Sequence, residues 1–253
     1  MIFYNFSGGM ESAAMLAVEI DRVRLPSVCV THADTGKQFP EMAASIKQIE
    51  TLLGITIVTV PRRIDFDEFL FEKGGMIRKG TTDCSRRMKR ANLSRHMKSF
   101  PPPYEVNLGF NANEDDRADA FVERNERDWL HWRFPLIELG ITRPMTHEIC
   151  KDAKFTILCE MYEKMGRFDC FWCGNQSPKQ AVKVARHYPE LAKEWMEAEE
   201  KKGHSFLPIP LKVLIENDNK PDLFTEVSTG CSCFGGDDDF AEELENNRSA
   251  CSV

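Results

Sequence analysis

Ile2-Phe3-Tyr4-Asn5-Phe6, running straight into Ser7-Gly8-Gly9-Met10-Glu11-Ser12, is the stretch that decides the fold. Its first part is a short apolar run of the kind a buried strand uses. The glycines break it. From Met10 onward the apolar residues Ala13, Ala14, Leu16, Ala17 and Ile20 recur at helical spacing and predict a helix over residues 10–21. A strand that turns through glycine into a helix makes an anion seat. The backbone can approach closely, and the helix N-terminus offers N–H groups and a positive dipole end. Ser7 and Ser12 add hydroxyls. The stretch has no Gly-Lys-Ser/Thr ending, so it is not a Walker loop. An ordinary glycine turn with a serine cap is the plainer reading of the same residues.

Working outward, residues 27–31 read as a second strand and residues 32–36 (His32-Ala33-Asp34-Thr35-Gly36) as a polar turn. Pro40 opens a helix carrying Met42, Ile46, Ile49 and Leu53, and Gly54 closes it. Residues 55–60 are almost continuously apolar, as a parallel strand covered on both faces would be. This alternation predicts an α/β fold: a doubly wound, mainly parallel sheet with helices on both faces and a C-terminal helical or irregular extension. Ligands in such sheets bind beyond the carboxyl ends of the strands. That rule gathers the loop at residues 7–12, the turn at residues 34–40 and the chain after Val60 at one edge. Further on, the pattern predicts helices over residues 84–100, 113–128 and 145–153, a strand over 104–109, and one long helix over 180–202. Phe134-Pro135-Leu136 is a short apolar segment, and the last dozen or so residues have a disordered composition.

The chain has 253 residues, of which 42% are hydrophobic, enough for a sizeable core. Its net charge of −7 argues against a general nucleic-acid binder. The opening residues lack a basic region and reach a polar loop by Ser7, so the expectation is a cytoplasmic protein without a signal peptide or membrane span. Eight Lys and Arg residues between Arg78 and Lys98 face only Asp83, which reads either as a solvated helix face or as a seat for phosphate or sulfate. Nine cysteines in a reducing compartment point to metal or redox chemistry for some and burial for the rest. Cys29, Cys150 and Cys159 sit in apolar surroundings and read as core. Cys170 and Cys173 form a C-x-x-C, able to chelate one metal, act as a redox pair, or simply be buried. Arg86 and Arg87 flank Cys84 and favour its thiolate. Cys231 and Cys233 follow near the end. Three or four of these thiols could hold a 4Fe-4S cluster or zinc. Asp34 at a strand end suits a ribose hydroxyl, an adenine amine or Mg²⁺, and equally an Asx turn. Glu114 and Arg117 read as a surface pair, His32 as a hydrogen-bonded structural histidine, and Trp172 as core.

In chain order, these motifs resemble the phosphoadenosine phosphosulfate (PAPS) reductase family of the adenine nucleotide alpha-hydrolase-like, or N-type ATP pyrophosphatase, superfamily. The first loop is similar to S-G-G-x-D-S. Residues 34–41, Asp34-Thr35-Gly36-Lys37-Gln38-Phe39-Pro40-Glu41, are similar to D-T-G-x-x-F-P-E-T. Asp83-Cys84-Ser85-Arg86-Arg87 resembles Cys-Cys-x-x-Arg, with Asp83 in place of the first cysteine. Gly109, Glu114, Arg117 and residues 134–137 resemble later nucleotide-side elements, and residues 170–176 a Cys-x-x-Cys-x-Asn-Gln. The resemblance implies an adenine nucleotide, either ATP or PAPS/adenylylsulfate, held by Ser7, Gly8, Gly9, Glu11, Ser12, Asp34, Thr35, Gly36, Arg86, Arg87, Lys89 and Arg117, with Mg²⁺ a further candidate. It implies metal ligation by Cys84, Cys170 and Cys173, with Cys233 as a fourth ligand. It divides the chain into a nucleotide-binding domain over residues 1–175 and a C-terminal helix with an acidic, cysteine-bearing tail over residues 176–253.

Two reactions follow from the resemblance. One is thiol-dependent reduction of a sulfonucleotide to sulfite, served by a thiol reductant protein. The family's terminal Glu-Cys-Gly-Leu-His is missing, so the catalytic thiol falls to Cys231 or Cys233. The other is ATP-dependent adenylation followed by sulfur transfer to a nucleic acid, using a cluster on three cysteines. A nucleotide-binding module that has lost its chemistry is a third reading. Oligomeric state is not encoded in any motif.

Overall fold

The computed structural model describes residues 1–218. Five strands form one parallel sheet: β1 (Ile2–Asn5), β2 (Val28–Ala33), β3 (Ile57–Val60), β4 (Tyr104–Asn107) and β5 (Leu130–Arg133). Their order is β3-β2-β1-β4-β5. The chain winds outward from β1 to β3, returns, and continues on the other side from β4 to β5. This is a doubly wound α/β fold. The reversal lies between β1 and β4, the topological switch point where such sheets bind ligands.

The helices are α1 (Met10–Val18), α2 (Ile20–Val23), α3 (Met42–Leu53), α4 (Ala91–Met97), α5 (Asp115–Asn125), α6 (Pro135–Glu138), α7 (Arg143–Asp152), α8 (Thr156–Met165), α9 (Pro178–His187), α10 (Pro189–Lys202) and α11 (Leu211–Glu216). Adjacent residues of β1 point to opposite faces, as the pleat requires. Tyr4 joins a core with residues of α1, α3, α7 and α8, which runs on to Trp195 of α10 and Leu211 of α11. Phe3 joins a second core with Val106, Leu130 and Trp132 from the sheet, Phe121 of α5 and Met97 of α4. Helices therefore cover both faces.

Several expectations are corrected. The helix from Met10 ends at Val18, and α2 follows as a separate turn. The helix expected over residues 84–100 begins as a π-helical stretch, Ser85–Arg90, before α4. The long helix over residues 180–202 is two helices, α9 and α10. Pro189 has no N–H for an internal helical bond and pushes the residue before it out of the helical region. Tyr188 accordingly sits at φ −138°, ψ 68°. Strand β5 and helix α8 had no counterpart in the sequence pattern. In β5 only Leu130 and Trp132 are buried, while His131 is exposed and Arg133 half-buried, so four residues on an edge left little signal. No helix among the described residues is long and apolar enough to cross a membrane. Cys231, Cys233, Cys251 and the acidic tail lie outside the described residues.

Candidate nucleotide and thiol site

The first loop lies where β1 ends, on one side of the switch point. Gly8 has φ +87°, a left-handed conformation that favours glycine, and a Cβ there would also have to displace the tip of the Met42 side chain, 2.5 Å away. Gly9 is different. It caps α1 in an extended conformation that any residue adopts, but a Cβ would stand 3.1 Å from Tyr162 Oη and 3.2 Å from Ser7 Oγ. The loop is laced by its hydroxyls. Ser7 N donates to Ser12 Oγ (3.2 Å), Ser12 Oγ to Gly9 O (2.9 Å), Gly9 N to Ser7 Oγ (3.2 Å) and Met10 N to Tyr162 Oη (3.0 Å). Gly109, after β4, presses against this loop from the other side of the switch point. A Cβ there would meet Ser12 Cα and N at 2.9 Å.

These two loops wall a cavity of about 350 Å³. Ser7, Gly9, Glu11 and Ser12 line it, with Asn5 at the end of β1. Asn5 accepts from Thr31 Oγ1 at 2.8 Å, and its Nδ2 is buried without a partner. Each carboxylate on the wall stands beside an arginine: Glu11 by Arg143 (3.4 Å), Glu114 by Arg117, and Asp169 by Arg167 (2.6 Å). Arg117 also lies over the Phe110 ring at 4.3 Å. Glu114 and Arg117 are therefore half-buried cavity wall, not the surface pair their spacing suggested. Lys89 adds a further cation.

A second, smaller cavity of about 40 Å³ adjoins the first. Cys84, Cys170 and Cys173 all line it, and Lys89 and Asn175 line both cavities. The three cysteines singled out across 86 and more positions of sequence thus meet at one place. Cys170 is buried, and desolvation pushes its thiol up to about 11, with Lys89 and a hydrogen bond from Thr35 pulling the other way. Among the described residues no group of three or more His, Cys, Asp or Glu stands close enough to hold a metal. The donor set still fits a thiophilic metal or an iron–sulfur group in kind. It offers three thiols on one cavity, and the Trp172 indole Nε1 on the same wall is buried without a partner. Loading such a group would draw the thiols inward.

The turn after β2 has a different task from the one expected of it. Asp34 accepts from Gly36 N (2.8 Å) in an Asx turn and pairs with Arg62 (2.7 Å), and it does not line the switch-point cavity. Gly36, at φ +74°, has the Arg62 guanidinium where a Cβ would go. Thr35 Oγ1 lies 3.0 Å from Cys170 Sγ. Phe171 N donates to Lys37 O (3.0 Å), and Gln38 bridges Cys170. Tyr188 Oη donates to Glu41 Oε1 at 2.5 Å. This motif therefore fastens the C-x-x-C loop and the α9–α10 junction to the sheet edge. Arg86 and Arg87 line neither cavity. Both stand by Asp83, and Arg87 lies over the Phe69 ring. Asp83 also accepts from Met76 N (3.0 Å), which gives the residue in place of a cysteine an anchoring role. His32 and Trp172 are buried, as read. Cys150 and Cys159 are buried and Cys29 partly so. The sequence reading missed Asn5, Tyr162, Arg143 and Arg167. The one available signal was for Arg143: a cation opening a Pro-started helix, able to meet Glu11.

Residues 1–106 match the family model of the phosphoadenosine phosphosulfate reductase domain. Among solved structures, the U34-tRNA thiolase NcsA from Methanococcus maripaludis with its 4Fe-4S cluster is similar over 95% of this chain and 82% of its own, at 11% identity and a TM-score of 0.46. No curated protein matches.

Proposed function

We propose that the chain is an enzyme that seats an adenine nucleotide in the switch-point cavity, phosphate end on residues 7–12, and performs sulfur chemistry beside it. The observation that carries this reading is the shared wall: Lys89 and Asn175 line both the nucleotide cavity and the cavity of Cys84, Cys170 and Cys173. A cavity of this size falls in the range that takes a small-molecule cofactor. Gly9, Ser7 and Ser12 supply the close approach and the hydroxyls, and Lys89 and Arg117 supply positive charge.

The reaction we favour is reduction of a sulfonucleotide. A cysteine thiolate attacks the sulfur, the nucleoside phosphate leaves with the bridging oxygen, and the cysteine carries the sulfonate. A second thiol attacks that cysteine sulfur and releases sulfite, leaving a disulfide that a thiol reductant protein returns to two thiols. Cys231 or Cys233 is assigned the first attack. The second reading, adenylation by ATP and sulfur transfer to a nucleic acid, is favoured by the gathering of three thiols at the nucleotide cavity. A cluster there would be held by Cys84, Cys170 and Cys173, with Cys233 as a candidate fourth ligand, and would supply sulfur or electrons. An assay of the anaerobic protein separates the two. Sulfite from PAPS or adenylylsulfate supports the reductase. AMP and pyrophosphate from ATP, without sulfite, replace it with the adenylating reading. Neither product under either condition sinks both.

A further inference from the structure

The two cavities are joined by more than a shared wall. Gln38 Nε2 and His32 Nε2 lie 2.8 Å apart, and His32 Nδ1 lies 2.9 Å from Phe6 O. An amide NH₂ can only donate, so His32 Nε2 accepts. The proton of the neutral ring is then on Nδ1 and is donated to the Phe6 carbonyl. Burial of His32 favours that neutral form. Phe6 is the residue before Ser7. At the other end, Gln38 lies opposite Cys170 in a backbone bridge closed by Phe171 N donating to Lys37 O (3.0 Å), and Thr35 Oγ1 touches Cys170 Sγ at 3.0 Å. A run of contacts thus leads from the nucleotide loop, through His32 and Gln38, to the backbone of the Cys170 loop, with Thr35 touching the thiol itself.

We propose that His32 and Gln38 are positioning residues that hold the Cys170 loop in register with the nucleotide loop, so that a ligand on residues 7–12 alters the exposure of Cys170. The inference rests on the nucleotide reading above. The side-chain contacts are short and lie between buried or half-buried groups, where a hydrogen bond is strong and a lost partner is costly. Neither residue faces the nucleotide cavity, so each acts through the loops it ties and not on the ligand.

The test is the rate at which iodoacetamide labels each cysteine of the protein as isolated, read peptide by peptide by mass spectrometry, with and without ATP or adenylylsulfate. In the unaltered chain the nucleotide should change the Cys170 rate by about fivefold or more, the low end of ordinary coupling between sites. Gln38→Leu keeps the backbone bridge and the side-chain bulk but cuts the link to His32. It should bind nucleotide as before by calorimetry and lose that change. Thr35→Val cuts the last link and serves if Gln38→Leu does not fold. Loss of the effect in either folded variant supports the relay. Retention in both overturns it, because direct shielding by the ligand would survive the substitutions. An unaltered chain that binds nucleotide without any change at Cys170 also overturns it and leaves the functional reading standing. An unaltered chain that binds no nucleotide overturns both.

Discussion

Two adjacent glycines do different work at the scale of single residues. Gly8 sits at φ +87°, where a side chain is strained, so its replacement should destabilise the fold. Gly9 has an ordinary backbone and faces the cavity. Gly9→Val should therefore leave a folded chain whose affinity for ATP or adenylylsulfate drops by a factor of ten or more, equivalent to about 1.4 kcal/mol. Calorimetry on the folded variant checks it, and unchanged affinity would remove the ligand from this loop. The strand–turn–helix order of the loop was legible in the sequence because Gly8 and Gly9 break the apolar run that ends at Phe6. The sequence left Asp34, Arg86 and Arg87 open between two readings. A carboxylate in an Asx turn, or an arginine paired with a carboxylate one helical turn away, has the same local sequence as a ligand contact. Which role it takes depends on Arg62 and Asp83, partners that only the fold brings into place.

Among the elements, β1, β2, β3 and α3 followed from periodicity, because a long apolar pattern with a proline at its start and a glycine at its end leaves few alternatives. The region after Pro178 was harder. Its apolar stripe continues through Pro189, so the pattern alone joined α9 to α10, whereas the missing N–H separates them. What orders this region is one buried carboxylate. Glu199 accepts from Trp195 Nε1 (3.0 Å), Phe206 N (2.7 Å) and Leu211 N (3.1 Å), tying α10 to the following loop and to the start of α11. Glu199→Ala leaves three buried donors without that acceptor. At roughly 1–3 kcal/mol for each unsatisfied group, a loss of about 3 kcal/mol or more is expected. Glu199→Gln keeps one acceptor oxygen and should cost less. Urea unfolding would give the order directly, and an alanine variant as stable as the unaltered chain would mean the network contributes little.

For the molecule as a whole, the sheet order places two sequence-distant groups side by side. The switch point between β1 and β4 opens the larger cavity, and the turn after β2 carries the C-x-x-C loop to its edge. Family resemblance had paired the cysteines with the nucleotide, but the adjacency of the cavities is a property of the fold. The most direct measurement of that adjacency uses anaerobically purified protein. Iron, sulfide and zinc are determined, and the visible spectrum is recorded with and without ATP or adenylylsulfate. We expect bound metal whose absorption changes on adding nucleotide, with metal lost in Cys84→Ser, Cys170→Ser and Cys173→Ser and kept in Cys29→Ser. Metal-free protein after anaerobic reconstitution, or metal that survives all three substitutions, would contradict a thiol centre built beside the nucleotide.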